Sequence, residues 1–185
     1  MTLSESIYTP SSEAAKLIPI QKIYKSYWTD EPSVSILEEM IAEEKKYPEI
    51  SDLLLLPRYI LMLNYSSITD RIAYVESKKE YLNSLPDNSQ NYYFVMLVYL
   101  NDLNKSYQPQ KVIDVYETLK DSLKKNQDIY FQYGYSYYLL ANSGQSIIQR
   151  DIYVSRAAAV FRRLKNSGYD LGENMSHWLE QIEKY

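Results

Sequence analysis

One histidine and no cysteine bound the chemistry open to this chain of 185 residues. A serine-histidine-carboxylate relay could be built only on His177, and no Gly-x-Ser-x-Gly turn is present to carry the nucleophile. His177 stands beside Trp178 and reads as a packing or surface residue. Without Cys there are no disulfides, no thiolate catalysis and no thiolate metal site. Zinc needs three or four well-placed ligands, and one histidine among scattered carboxylates is not such a set. The sequence contains neither a Gly-rich phosphate loop nor an EF-hand loop. The pairs Glu38-Glu39 and Glu43-Glu44 do place carboxylates one helical turn apart, a spacing that could hold a cation or form an acid/base pair. Acid/base work needs an environment that separates the two pKa values, and on an amphipathic helix these four side chains read first as a solvated outer face. No catalytic residue, metal or cofactor is therefore expected, and the chain reads as a non-enzyme.

Charge narrows the partners. A formal net charge of -4 gives no reason to expect nucleic-acid binding, which rests on clustered Lys and Arg neutralising phosphates. The charge is uneven: acids dominate the early chain, whereas Lys105, Lys111, Lys120, Lys124, Lys125, Arg156, Arg162 and Arg163 mark the later part as basic. Two exposed faces of opposite sign explain this most simply. The sharper alternative makes Glu38, Glu39, Glu43 and Glu44 an acidic patch for a basic partner, as in an immunity protein that neutralises a toxin. The longest aliphatic run is Leu53 to Leu56, and its extension meets Pro57 and Arg58, so no membrane insertion is expected. The first twenty residues lack a basic start followed by an apolar core. The chain accordingly reads as cytoplasmic, although a leader already removed would leave no trace.

Helices must position whatever does the work. With 4 Gly, 7 Pro and 45% hydrophobic residues, collagen-like, disordered and turn-rich β classes are disfavoured. The length suits one domain that buries about 70 per cent of its unfolded surface. Ser11 or Ser12 can cap a first helix running to Trp28, with Pro19 as a kink or a late start, and Thr29 and Asp30 a second that presents Val34, Leu37, Met40 and Ile41 and ends at Pro48. These two form an N-terminal pair over residues 11–50. Hairpins are expected over 51–87, 88–126 and 127–168, with a capping helix over 174–185. Pro57 divides the first of these hairpins, and Pro109 opens the second helix of the next.

The stretch from Asp128 to Leu164 is the template for the rest. Tyr130, Tyr133 and Tyr137 follow one helical face, while Phe131, Tyr135 and Tyr138 follow another. A helix apolar on two faces must pack on two sides. Asn142, Ser143 and Gly144 stop it, and a second helix presents Ile148, Ile152, Ala157, Ala158 and Phe161. Gly134 with Tyr137, then Ala157 with Phe161, resembles the tetratricopeptide repeat (TPR), which places a small residue and an aromatic three apart in its first helix and Ala-x3-Phe in its second. The connection between the two helices is longer than in a 34-residue TPR, so the hairpin is TPR-like. Successive hairpins follow at spacings of about 35 to 40 residues, which predicts an all-α solenoid of about eight or nine helices.

The resemblance implies that first helices of successive hairpins line a concave groove that holds an extended peptide or partner helix. On this chain it points to Tyr93, Asn101, Gln132, Tyr135, Tyr138 and Asn142 as partner-binding residues. Aromatic rings would anchor the peptide and amides would pair with its main chain. TPRs that clamp a C-terminal carboxylate use Lys, Arg and Asn, so Gln and Tyr at these positions do not imply that specificity. Three functions are expected in this order: a non-enzymatic adaptor, assembly factor or chaperone, an acidic immunity protein, and an enzyme working through carboxylates.

Overall fold

The computed structural model describes residues 21, 33–48, 52–87, 89–144 and 146–184. The protein is all-α: ten helices and no strand occur among the described residues. The helix expected from Ser11 to Trp28 and its kink at Pro19 lie outside them, whereas the second helix, expected to be capped at Thr29 and Asp30, starts at Val34 with Ser33 as its cap. The chain divides into two compact units, residues 1–67 and 68–185.

In the first unit α1 spans Val34–Lys46 and α2 spans Leu55–Tyr65. Ser33 caps α1, accepting from the Ile36 amide at 3.5 Å. Ile36, Leu37 and Met40 are buried on α1, as are Leu55, Tyr59, Leu61 and Met62 on α2, and the two helices pack together. Pro57 does not divide the second helix. It occupies the first turn of α2, where the missing N–H has no intrahelical acceptor to lose, so the helix starts at Leu55 instead of Tyr59.

The second unit begins with α3 (Ile68–Ser77) and the single turn-and-a-half of α4 (Lys79–Ser84), followed by α5 (Gln90–Lys105) and α6 (Pro109–Thr118). A short α7 (Asp121–Lys124) leads into α8 (Gln127–Ala141), α9 (Ile147–Asn166) and α10 (Gly172–Glu183). The three longest helices of this unit each start on a side chain that satisfies orphan amides: Ser89 accepts from Tyr92 N at 3.2 Å, Asn126 from Asp128 N at 2.9 Å, and Ser146 from Gln149 N at 3.4 Å. The apolar stripe of α6 continues in sequence to Leu123, yet the helix stops at Thr118. There the chain turns through Leu119 and Lys120, whose ammonium donates to the Leu85 carbonyl at 2.5 Å and pairs with Asp87 at 3.1 Å. The turn keeps both Leu119 and Leu123 buried.

Helix α8 is the centre of this unit, packing on α9, α5 and α6. Its two aromatic faces separate as their spacing predicts. On one side Tyr133 stacks on Tyr116 of α6 with centroids 4.0 Å apart, and Tyr130 lies 6.2 Å from the same ring. On the other, Phe131 meets Phe161 of α9 and Tyr169, and Tyr138 meets Trp178 of α10 edge-on at 5.3 Å. Gly134 sits where α8 crosses α9: a Cβ built there would lie 2.6 Å from Val160 Cγ1 and 3.0 Å from the Phe161 ring. Gly144 and Gly168, after the ends of α8 and α9, have φ of 77° and 82° and provide the left-handed turns.

Tyrosine serves this packing by burying its ring and satisfying its hydroxyl near the surface. Tyr133 donates to Glu117 Oε1 at 2.9 Å and lies 3.1 Å from the Tyr137 hydroxyl, which accepts from Arg156 Nη1 at 3.1 Å. Burial is the main cause that pushes the Tyr116 phenol up to about 12, with the neighbouring Tyr130 and Glu117 adding to it. Burial also raises Tyr169 to about 12, aided by its hydrogen bond to Asp128, and shifts Tyr99 and Tyr133 upward. A phenol whose folded pKa lies above the unfolded value of about 10 contributes stability that is complete below pH 10 and lost as pH rises toward the folded pKa. The unfolding free energy from urea titration is thus expected to hold steady to about pH 9.5 and then fall, by at most about 1.4 kcal/mol per pH unit for each phenol that ionises only on unfolding. Equal values at pH 8 and pH 11 would contradict this account.

Candidate functional site: a groove floored by amides

Three elements of the second unit enclose a groove of about 450 Å³: the last turns of α5, the middle of α8 and the start of α10. Helix α5 contributes Asn101, Asn104 and Lys105, and α8 contributes Phe131, Gln132 and Tyr135. The third wall is the chain from Leu171 to Met175. The i, i+3 and i, i+4 spacings place Asn101, Asn104 and Lys105 on one side of α5 and Phe131 and Tyr135 on one side of α8.

Asn104 ties the floor together. Only 2% exposed, it donates from Nδ2 to the Gln132 backbone carbonyl at 3.0 Å and to Gln132 Oε1 at 3.1 Å. The same carbonyl accepts from Ser136 Oγ at 2.7 Å, and Ser136 is fully buried. Oδ1 of Asn104 is buried without a hydrogen-bond partner in the protein. An orphaned buried acceptor of this kind costs about 1–3 kcal/mol, so the floor holds an unmet polar demand beside its satisfied bonds. The third wall is polar in a different sense. Gly172 N, the first amide of α10, donates to Asp170 Oδ1 at 2.8 Å, and the N-cap residue Leu171 supplies no side-chain cap. The other amides of its first turn lie at the positive end of the helix dipole. Glu173 from that turn and Lys105 from α5 stand at the rim as exposed charges of opposite sign.

The expected partner-binding residues divide. Asn101, Gln132 and Tyr135 come together in the groove. Tyr93 instead donates to Asp128 Oδ2 at 2.7 Å, and Tyr169 donates to Oδ1 of the same carboxylate at 3.0 Å. Burial and that carboxylate raise the Tyr93 pKa. Tyr138 packs on Trp178, with Tyr135 stacked at 5.6 Å. Asn142 follows the end of α8 and donates from Nδ2 to the Tyr138 carbonyl at 2.8 Å. The sequence reading does not pick out Asn104, Phe131 or the start of α10. A polar residue directly after the apolar Leu103 is the one local sign of Asn104.

The four early carboxylates divide as well. Glu38 is exposed and Glu39 half-buried. Glu44 is buried on α1 and forms an ion pair with Arg58 of α2, so it belongs to the packing of the first unit and not to an outer acidic face. Glu43 is half-buried, with Oε2 shut off from solvent. His177 is exposed on α10. Among the described residues no three His, Asp or Glu side chains gather as a metal-ligand group, and no helix is long and apolar enough to cross a membrane. Comparison with protein-family models, with curated proteins and with solved structures gives no match to this chain.

Proposed function

We propose that the chain is a non-enzymatic protein-interaction module that holds an extended peptide segment of a partner protein in the groove between α5, α8 and the start of α10. One observation carries this reading: the amides of Asn101, Asn104 and Gln132 converge with the rings of Phe131 and Tyr135 in a groove of about 450 Å³. A peptide main chain presents alternating donors and acceptors, which amide side chains and uncapped helix amides can match, while rings anchor its side chains. The TPR-like reading of the scaffold supports it. α5 with α6 and α8 with α9 are consecutive packed helix pairs, and the close crossing at Gly134 together with buried Ala157 and Phe161 suits that repeat. An adaptor, assembly factor or chaperone would all use such a groove.

Photo-crosslinking in the native cell tests the idea. A benzophenone side chain at Tyr135 should trap one stoichiometric protein, whereas the same group at Glu38 should not. Affinity for the trapped protein is expected to fall at least about tenfold in Asn101→Ala/Tyr135→Ala, equivalent to about 1.4 kcal/mol, with helicity unchanged. Trapping at Glu38, with binding lost on Glu38→Lys/Glu39→Lys and kept in the groove variant, would replace the groove by the acidic face and favour an immunity function.

A further inference from the structure

A second cavity, away from the groove, lies among α3, α4, α5 and α6 and has a volume of about 240 Å³. Its walls are apolar: Val75, Leu82, Met96, Val115 and Leu119 line it, and of these Val75, Leu82, Met96 and Leu119 are themselves buried. Charge is confined to three residues, Glu76, Lys79 and Lys111. Glu76 is already engaged, ion-paired with Lys111 and accepting from the Tyr99 hydroxyl at 3.2 Å. Lys79 is exposed at the start of α4 and has no carboxylate partner among the described residues. The cavity thus joins an oily interior to one uncompensated positive charge.

We infer that this cavity binds a single-chain amphiphile with an anionic head, a medium-chain carboxylate, its tail among Val75, Leu82, Met96 and Val115 and its head at Lys79. Size sets the chain length. An apolar cavity of about 150 Å³ holds benzene, so one of 240 Å³ takes about ten heavy atoms by the same ratio, the size of octanoate. Charge sets the sign of the head, since Glu76 and Lys111 neutralise each other and leave Lys79. A carboxylate at the rim stays partly in water and avoids the desolvation that would forbid it deeper in the cavity.

Titration of protein carrying 13C-methyl methionine reads occupancy directly, because Met96 is in the wall. Octanoate should shift the Met96 methyl resonance with saturation, and octylamine should bind at least about threefold more weakly because its head meets Lys79 as a like charge. Butanoate, four methylenes shorter, should be weaker by about a hundredfold or more at about 0.8 kcal/mol per buried methylene. Lys79→Gln, a surface change, should lower octanoate affinity about twofold to fivefold and leave octanol binding as it was. Val115→Phe should abolish both by filling the tail space, and Lys79→Gln keeps the test decisive if that variant folds poorly. A Met96 resonance unmoved by octanoate up to its solubility, or equal affinity for octanoate and octylamine, overturns the inference. Neither result bears on the groove between α5, α8 and α10.

Discussion

Gly134→Leu should leave the second unit unable to close at its centre, with a loss of about 3 kcal/mol or more in urea unfolding and a visible loss of near-ultraviolet tyrosine signal. The smaller change Gly134→Ala sets two effects against each other. Alanine favours a helix over glycine by about 1 kcal/mol. Against that, its Cβ would stand 2.6 Å from Val160 Cγ1 and 3.0 Å from both Val160 Cβ and the Phe161 ring. Val160 is 4% exposed and β-branched, and Phe161 is fully buried, so neither can step aside freely. Overpacking of this kind costs about 1–3 kcal/mol, and the net result should be destabilisation. Val160→Ala in the same chain removes the colliding methyls, so the double variant should be less unstable than the two single losses added together. A Gly134→Ala protein more stable than wild type would show that α8 and α9 do not cross as closely as described.

The other large effect belongs to Asp102. This residue is 2% exposed on α5, and its carboxylate receives Arg71 Nε at 2.7 Å on Oδ2 and Nη2 at 2.8 Å on Oδ1. The guanidinium comes from α3, and its side chain is 11% exposed. Such a two-pronged pair recovers the cost of desolvating both charges only while both partners are present. Asp102→Ala should therefore cost about 3–5 kcal/mol, because it removes one member of a buried, doubly hydrogen-bonded charge pair. Asp102→Leu combined with Arg71→Met should recover most of that loss, since apolar residues of similar volume often replace a buried ion pair with little net change. If Asp102→Ala alone lowers stability by less than about 1 kcal/mol, the pair is wetter than the geometry indicates.

How far these features can be read in advance depends on whether their cause is local. The two-sided character of α8 is legible in the doublets Tyr130-Phe131 and Tyr137-Tyr138, because no single helical stripe accommodates both members. Gly134 is legible through its spacing to Tyr137. Pro57 misleads because proline disrupts a helix interior and suits its first turn, and the sequence around it does not say which applies. The break after Thr118 is hidden for another reason: the apolar stripe runs on, and the turn depends on Lys120 reaching Leu85 and Asp87, which are distant in sequence. Asp102 and Arg71 likewise find each other across 31 residues. Within the groove, Asn101, Gln132 and Tyr135 share a simple helical register. Tyr93 and Tyr138 have the same residue type and comparable register, but Asp128 and Trp178 occupy them, and only tertiary placement brings those partners near.

The rings gathered on both sides of α8 also have an optical consequence. Trp178 touches Tyr138 edge-on at 5.3 Å, and Tyr135 stacks on Tyr138 at 5.6 Å, so light absorbed by these phenols passes to the indole by resonance transfer instead of being emitted by tyrosine. The distance between α8 and α10 is thereby written into the colour of the fluorescence. A chain in which the last helix has let go would add tyrosine emission to that of its two tryptophans while the rest of its helices remain intact.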